Sequence, residues 1–369
     1  MTFARRAPSS PVRTHRLTCP GTATAVGLGL VLTLAGCSAP PQPVPEPTGE
    51  DLERAWRVAV GSDDPLDQTL AQVYAMAMNS HETPTVVVQA DDATAVELAV
   101  GLAATAPGSD SSPETPDDET AAVIEGTGET PDDRYEMVVA RTMPLAEALD
   151  PEGFADLTAP DEENGRGPAA EPEELAALVE SQLSRAQLFE PTTAVLRNGL
   201  IITTVTAENY EVDAEEETAF DELAERCGEL SIGVTGSLPD AAPLLNETYG
   251  CAPAEIHAGR EDELIELLIT AEIDAALMTS SHPDVDDHAL VTVTDARRAF
   301  PQDQYAPLVS SRIAEEVPGV VEDISLALDD EALLTLRRLI HGEDALEPED
   351  AAVYWLVDEG LLAEPESWG

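Results

Sequence analysis

The chain has 369 residues, with 73 Asp plus Glu against 18 basic side chains and a formal charge of −55 at pH 7. Every basic side chain is arginine; lysine is absent. That balance excludes nucleic acid and anionic lipid as partners recognised through charge, since both are bound by basic patches. Two accounts fit the acidity. One is a carboxylate-rich surface that stays hydrated at high salt, where screening over a few ångströms removes self-repulsion. The other is a coding bias towards Arg, Ala, Asp and Glu.

At the N-terminus Arg5, Arg6, Arg13 and Arg16 precede the apolar run "TATAVGLGLVLTLAG", which closes on "LAGC" at Cys37. The run is shorter than the roughly 20 residues of a spanning helix, and small residues ahead of a cysteine suit lipoprotein processing. Residues 1–36 are therefore expected to be a lipoprotein signal peptide and Cys37 the lipidated first residue of the mature chain. Residues 37–51, with "SAPPQPVPEPT", form a Pro-rich tether. This puts the rest of the chain outside the cytoplasm, anchored to the membrane through lipid. There Cys227 and Cys251, left over once Cys19 and Cys37 are assigned, are expected to form a disulfide. A loop of about 25 residues gives such a bridge roughly 3 kcal/mol on the chain-entropy account. The six histidines show no ligand spacing, so His81, His257, His282, His288 and His341 are read as surface residues and no metal site is expected.

In chain order, "WRVAVGS" (56–62) reads as a buried strand, and Asp64-Pro65 offers an N-cap and first-turn proline. The helix that follows sets Leu66, Leu70, Val73 and Ala77 on one face. "TPTVVVQA" (83–90) is a second strand and "ATAVELAVGLAA" (93–104) a second helix, an alternation that implies a parallel sheet. Acidic, apolar-poor excursions occupy 107–133, with "ETPDD" twice, and 159–174. "YEMVVARTM" (135–143) lies between them, and a helix is expected at 173–187. The run "LIITTVTA" (200–207) reads as extended. A helix at 218–226, the strand "LSIGVT" (230–235), a strand near 254–257, a helix at 261–271 and the strand "EIDAALMT" (272–279) follow. The last helix, 349–360, sets Val353, Leu356 and Val357 on one side and stops at Gly360.

This length exceeds one core, so two lobes with a cleft are expected. The first lobe takes 52–195, the second 196–290, and 291–369 returns to complete the first.

The order and spacing of several segments resemble the substrate-binding proteins of ABC importers for glycine betaine, carnitine and choline. The matching segments are "VAVGSDDPLDQTLAQVYAMAM", "LRNGLIITTVTAENY", "DELAERCGELSIGVTG", "ELLITAEIDAALMTSSHPDV" and the tail from "LDDEALLTLRRLI". The resemblance implies a two-lobe α/β clam of the type II periplasmic-binding-protein kind, closing on its ligand by hinge motion. It also implies capture of a trimethylammonium group by aromatic faces and of any carboxylate by Arg, hydroxyls or backbone N–H groups.

Carried over position by position, the ligand-binding residues would be Ser62 and Asp64 in the first lobe, Thr235 and Ser237, Thr279, Ser280 and Ser281 in the second, and Tyr305 near the returning crossover. Each has a duller reading beside it: a helix cap for Ser62 and Asp64, plain turns for the Thr235 and Thr279 segments, and packing on Pro307 for Tyr305. Two departures from the family stand out. The turn after Ser237 offers Leu238-Pro239-Asp240 where relatives place an arginine, and an acidic excursion replaces the tyrosine-bearing segment after the second helix. The whole chain has only 5 Phe, 3 Trp and 6 Tyr.

The function expected is a monomeric solute-binding lipoprotein that passes a quaternary ammonium osmolyte, such as glycine betaine or choline, to an ABC permease. The alternatives are a different small polar solute, or a scaffold retained as a sensor or protein-interaction module. No cofactor is expected. An enzyme is not expected either: the sequence offers no Ser/His/Asp set, no paired carboxylates and no phosphate loop, and "GTGET" (126–130) falls in an acidic excursion.

Overall fold

The computed structural model of the chain describes residues 55–61, 64–90, 93–104, 135–159, 170–214, 216–236, 238, 241–342 and 344–364. The signal peptide, Cys37, the tether, the excursion at 107–133 and most of that at 159–174 lie outside the described residues, as do Ser62 and Ser237.

The chain begins with β1 (Trp56–Val60), α1 (Pro65–Ser80), β2 (Thr85–Gln89), α2 (Ala95–Ala104) and β3 (Met137–Arg141). α3 (Thr142–Leu149), α4 (Pro151–Leu157), α5 (Pro172–Gln182) and β4 (Ala186–Leu188) follow. Next come β5 (Asn198–Ile202), α6 (Thr204–Tyr210), α7 (Ala219–Glu225), β6 (Ser231–Thr235), α8 (Ala241–Tyr249) and β7 (Glu255–Gly259). α9 (Glu261–Ile269), β8 (Ala275–Thr279), α10 (Pro283–Asp287) and β9 (Val291–Val293) complete that part. The return is β10 (Tyr305–Ser310), α11 (Val320–Ala327), α12 (Asp330–Leu339) and α13 (Pro348–Asp358).

These strands make two five-stranded sheets, in the orders β2-β1-β3-β10-β4 and β7-β6-β8-β5-β9. Both follow one plan. Three parallel strands, the earliest in the middle, are joined by an antiparallel strand and closed by a three-residue edge strand. The antiparallel members, β5 and β10, are the first strands the chain forms after each crossing between lobes. The two-lobe α/β architecture expected from the sequence is therefore present. β9 and Phe300 belong with the second sheet and its core, past residue 290 where the pattern placed that lobe's end.

Asp64 starts α1 by accepting the Leu66 N–H at 2.9 Å, with Pro65 in the first turn. The four residues predicted to share its buried face are buried, and so are Tyr74, Met76 and Met78. α1 is covered all round because the sheet packs on one side and α11, α12 and α13 on the other. Leu98, Leu145 and Leu175 from α2, α3 and α5 cover the opposite face of that sheet. In the second lobe Phe220, Leu223 and Leu245 fill one side and Leu264, Ile265 and Leu268 the other. Fully burying each such side chain contributes about 1.5–3 kcal/mol.

Cys227 and Cys251 form the expected disulfide, with Cα atoms 5.2 Å apart. It ties the turn after α7 to the end of α8, where Gly250 takes a φ of +66° that favours glycine.

Three local expectations are corrected. The extended run 200–207 ends at Ile202, because Thr203 Oγ1 accepts the Thr206 N–H at 3.0 Å and starts α6. The helix expected to reach 187 stops at Gln182, and Ala186–Leu188 pairs instead with β10. The last helix buries Ala351, Ala352, Trp355 and Leu356, while Val353 and Val357 sit at the margin, because the indole volume decides which face turns inward.

Candidate functional site

The chain passes from the first lobe to the second at Leu196 and back at Asp303. These two residues pair: Leu196 N–H donates to the Asp303 carbonyl at 2.7 Å, and Asp303 N–H to that of Leu196 at 3.1 Å. The Asp303 carboxylate accepts from Arg141 Nε at 2.7 Å, Thr142 Oγ1 at 3.0 Å and Met143 N–H at 2.8 Å. Burial by itself would lower the Arg141 pKa, but the charge and hydrogen bond of Asp303, with the charge of Asp67, outweigh it and hold the guanidinium firmly protonated.

Beside this pair, at the end of β3 and the start of β10, lies Tyr305. Its side chain is buried, only 4% of the residue is exposed, and its hydroxyl donates to Asp67 Oδ1 at 3.1 Å. Burial, then the charge of Asp67, pushes the phenol well above its ordinary pKa, against the pull of Arg141 and Arg337.

α12 belongs to the first-lobe core through Leu333 and Leu336 but presents charged side chains to the second lobe. Arg338 meets Asp286 at 2.8 Å, and Asp330 meets Arg197 at 3.0 Å. Arg337, its side chain 16% exposed, reaches to 3.9 Å from Glu261. Its Nε is buried and has no hydrogen-bond partner among the described residues. Glu261 in turn accepts the Thr279 N–H at 3.1 Å, so this one contact links α12 to the end of β8.

The sequence-predicted residues are distributed as follows. Asp64 caps α1 and lies within electrostatic reach of Tyr305. Thr235 and Thr279 are buried at the ends of β6 and β8. Ser280 donates through both N–H (3.0 Å) and Oγ (3.2 Å) to the Arg197 carbonyl, which is turn chemistry. Ser281 Oγ is buried without a partner among the described residues. Sequence reasoning missed Asp67, Arg141, Glu261 and Arg337. The first-turn acid of α1 and the Arg337-Arg338 pair were visible signals, but which way α12 faces is a tertiary fact.

Six further aromatic side chains are used elsewhere. Tyr74 bonds Ser325, Tyr135 bonds the Leu98 carbonyl, Tyr249 stacks on Phe220, Tyr210 lies under Arg226, and Trp355 is in the core. The surface hollows beside Trp56 and beside Gln68 lie on the first lobe and are lined by none of the charged groups above.

The reading of the histidines is also corrected. His282 is only 7% exposed, with Nε2 3.1 Å from Asp262 Oδ1. Its ring meets that of His341 edge-on, centroids 5.2 Å apart, and His341 Nε2 lies 3.1 Å from Asp284 Oδ1. Folding assembles a cluster from positions too far apart in sequence to show ligand spacing.

No helix among the described residues is long and apolar enough to cross a membrane. No curated protein sequence matches the chain. Among solved structures it is similar to a crystal structure of a glycine betaine/carnitine/choline ABC transporter, at 13% identity over 83% of this chain and 98% of that one, with a TM-score of 0.59. It is also similar to apo YehZ from Escherichia coli, at 16% identity over 83% and 100%, with a TM-score of 0.56. At such identities the likeness is one of fold, the two-lobe type II periplasmic-binding-protein architecture. The family model described as the substrate binding domain of the ABC-type glycine betaine transport system matches residues 187–358. That segment contains the second lobe, both crossings and the C-terminal helices, and it is similar to the substrate-binding domains of ABC-type glycine betaine transport systems.

Proposed function

We propose that the chain is the extracytoplasmic, lipid-anchored solute-binding protein of an ABC importer, and that its solute is a small zwitterion of the quaternary ammonium class, such as glycine betaine. The observation that carries this reading is Arg337: a nearly buried guanidinium between the lobes whose Nε lacks a partner among the described residues. Such a group offers a planar, two-pronged grip for a carboxylate. The face of Tyr305 and the carboxylates of Asp64, Asp67 and Glu261 supply the negative potential that a trimethylammonium group seeks. Choline has no carboxylate and would leave Arg337 unmet.

The proposed contact set is Asp64, Thr235, Thr279, Ser281, Tyr305 and Arg337, with Ser62 and Ser237, their neighbours in the sequence. Ser280 holds the Arg197 carbonyl behind them. Closure about the Leu196 and Asp303 crossing traps the solute for an ABC permease. Thermal unfolding with glycine betaine, carnitine, choline and ectoine at low and high salt tests the reading. A ligand of the folded state raises Tm in a saturable way, and glycine betaine is expected to give the largest rise.

One observation favours a second reading, a scaffold kept as a sensor or interaction module. Tyr305, the aromatic side chain beside the charged groups, is buried with its hydroxyl committed to Asp67. A Tm unmoved by every solute in the series would support that reading over solute transport.

A further inference from the structure

Asp262 in α9, His282 at the start of α10 and His341 just beyond α12 each bring one donor atom into a group whose members all lie within 4.8 Å of one another. The first two are carried by the second lobe, whose core holds Leu264 and Val285. His341 is carried by the first, through the Leu333 and Leu336 face of α12. His282 Nδ1 accepts the Asp284 N–H at 3.3 Å, so a neutral ring carries its hydrogen on Nε2, towards Asp262 Oδ1. His341 Nε2 faces Asp284 Oδ1 in the same way.

We propose that Asp262, His282 and His341 form a site for a borderline-soft divalent cation of the zinc type, bridging the two lobes. Two imidazole nitrogens and one carboxylate oxygen make a three-ligand set that zinc completes with water in the fourth position. Calcium and magnesium prefer all-oxygen sets. On binding, the cation takes the place of the His282 ring hydrogen between Nε2 and Asp262 Oδ1, while His341 keeps its Nε2 hydrogen on Asp284 Oδ1 and offers Nδ1. In a neutral ring that hydrogen moves to Nδ1, and His282 gives up its one long bond from the Asp284 N–H. Asp284, already against His341, is placed to orient that ring as an outer-shell carboxylate. Arg260, 3.2 Å from Asp262, is the cationic neighbour the metal must displace or tolerate, and its side chain is exposed and free to swing away. Because the ligands come from both lobes, a bound cation holds the lobes in this arrangement, whether or not a solute lies between them.

A chain with 73 carboxylates collects divalent ions non-specifically, so the test must depend on the histidines. Zinc is titrated calorimetrically into the purified protein in excess magnesium, which occupies exposed carboxylates, and cobalt(II) is added separately to read coordination from its visible absorption. One zinc per chain is expected, with a four-coordinate cobalt spectrum. His341→Gln and His282→Asn are each expected to weaken zinc at least tenfold and abolish that spectrum, while Asp286→Asn, which alters only the neighbouring Arg338 pair, leaves both unchanged. His341 is the more exposed of the two rings, so His341→Gln keeps the test valid if the His282 variant folds poorly. Zinc affinity unchanged in His341→Gln, or no zinc binding above the magnesium background, overturns the proposal. Neither result depends on which solute the protein binds.

Discussion

Arg141 and Asp303 form a 2.7 Å ion pair where the returning chain re-enters the first lobe, the aspartate side chain 2% exposed and the arginine 29%. Asp303 also receives Thr142 Oγ1 and two backbone N–H groups, those of Met143 and Gln304. Removing the carboxylate strands a largely buried cation and leaves several donors unpaired. Breaking a buried pair from one side costs about 3–5 kcal/mol. Asp303→Ala is expected to lose that much stability in urea unfolding, and Asp303→Asn less, since its amide oxygen still accepts. A loss below about 1 kcal/mol for the alanine variant would show that the pair does not hold the crossing together.

The phenols of Tyr74, Tyr249 and Tyr305 are all raised by the fold, burial being the largest cause in each. A raised folded-state value means stability is intact below the ordinary phenol range, near pH 10, and falls as pH climbs above it, because the unfolded chain ionises first. Alkaline spectrophotometric titration should therefore show these three phenolates appearing together with unfolding. Smooth ionisation of all six tyrosines near pH 10 in folded protein would contradict their burial.

The disulfide spans a sequence separation of 24. Its loss is expected to lower the stability of the second lobe by about 3 kcal/mol, read as a shifted unfolding midpoint with reductant or in Cys227→Ala/Cys251→Ala. An unchanged midpoint would mean that the α7–α8 layer holds without it.

At Gly61 an added Cβ would lie 2.2 Å from the Ala93 carbonyl oxygen and 2.8 Å from Leu98 Cδ1. Backbone cannot yield as a side-chain tip can, so Gly61→Ala is expected to cost about 1–3 kcal/mol. Gly61 stands three positions before Asp64 of the proposed contact set, so solute affinity should fall in the same variant.

Much of the fold was legible because it rests on local pattern. The α1 face is a 3.6-residue repeat with a cap in front of it, and the two leftover cysteines had one pairing open to them. Legibility failed where a side chain's own chemistry or a distant partner decided. The hydroxyl of Thr203 converts an apparently extended run into a helix start. Trp355 outweighs two valines in setting the buried face of α13. At the candidate site strand-end position picked out Thr235 and Thr279, which do end β6 and β8, and cap chemistry picked out Asp64, which starts α1. Arg337, Glu261 and the His282–His341 contact were not, since each is made by packing one lobe's helix against the other lobe.

Isothermal titration of the purified protein with glycine betaine, beside Arg337→Ala and with choline as comparison, tests capture of a zwitterion between the lobes most directly. Saturable one-to-one binding is expected, with weaker binding of choline and at least a tenfold loss in the variant, which corresponds to about 1.4 kcal/mol. Absence of heat with any quaternary ammonium solute, or equal affinity in Arg337→Ala, would contradict such capture.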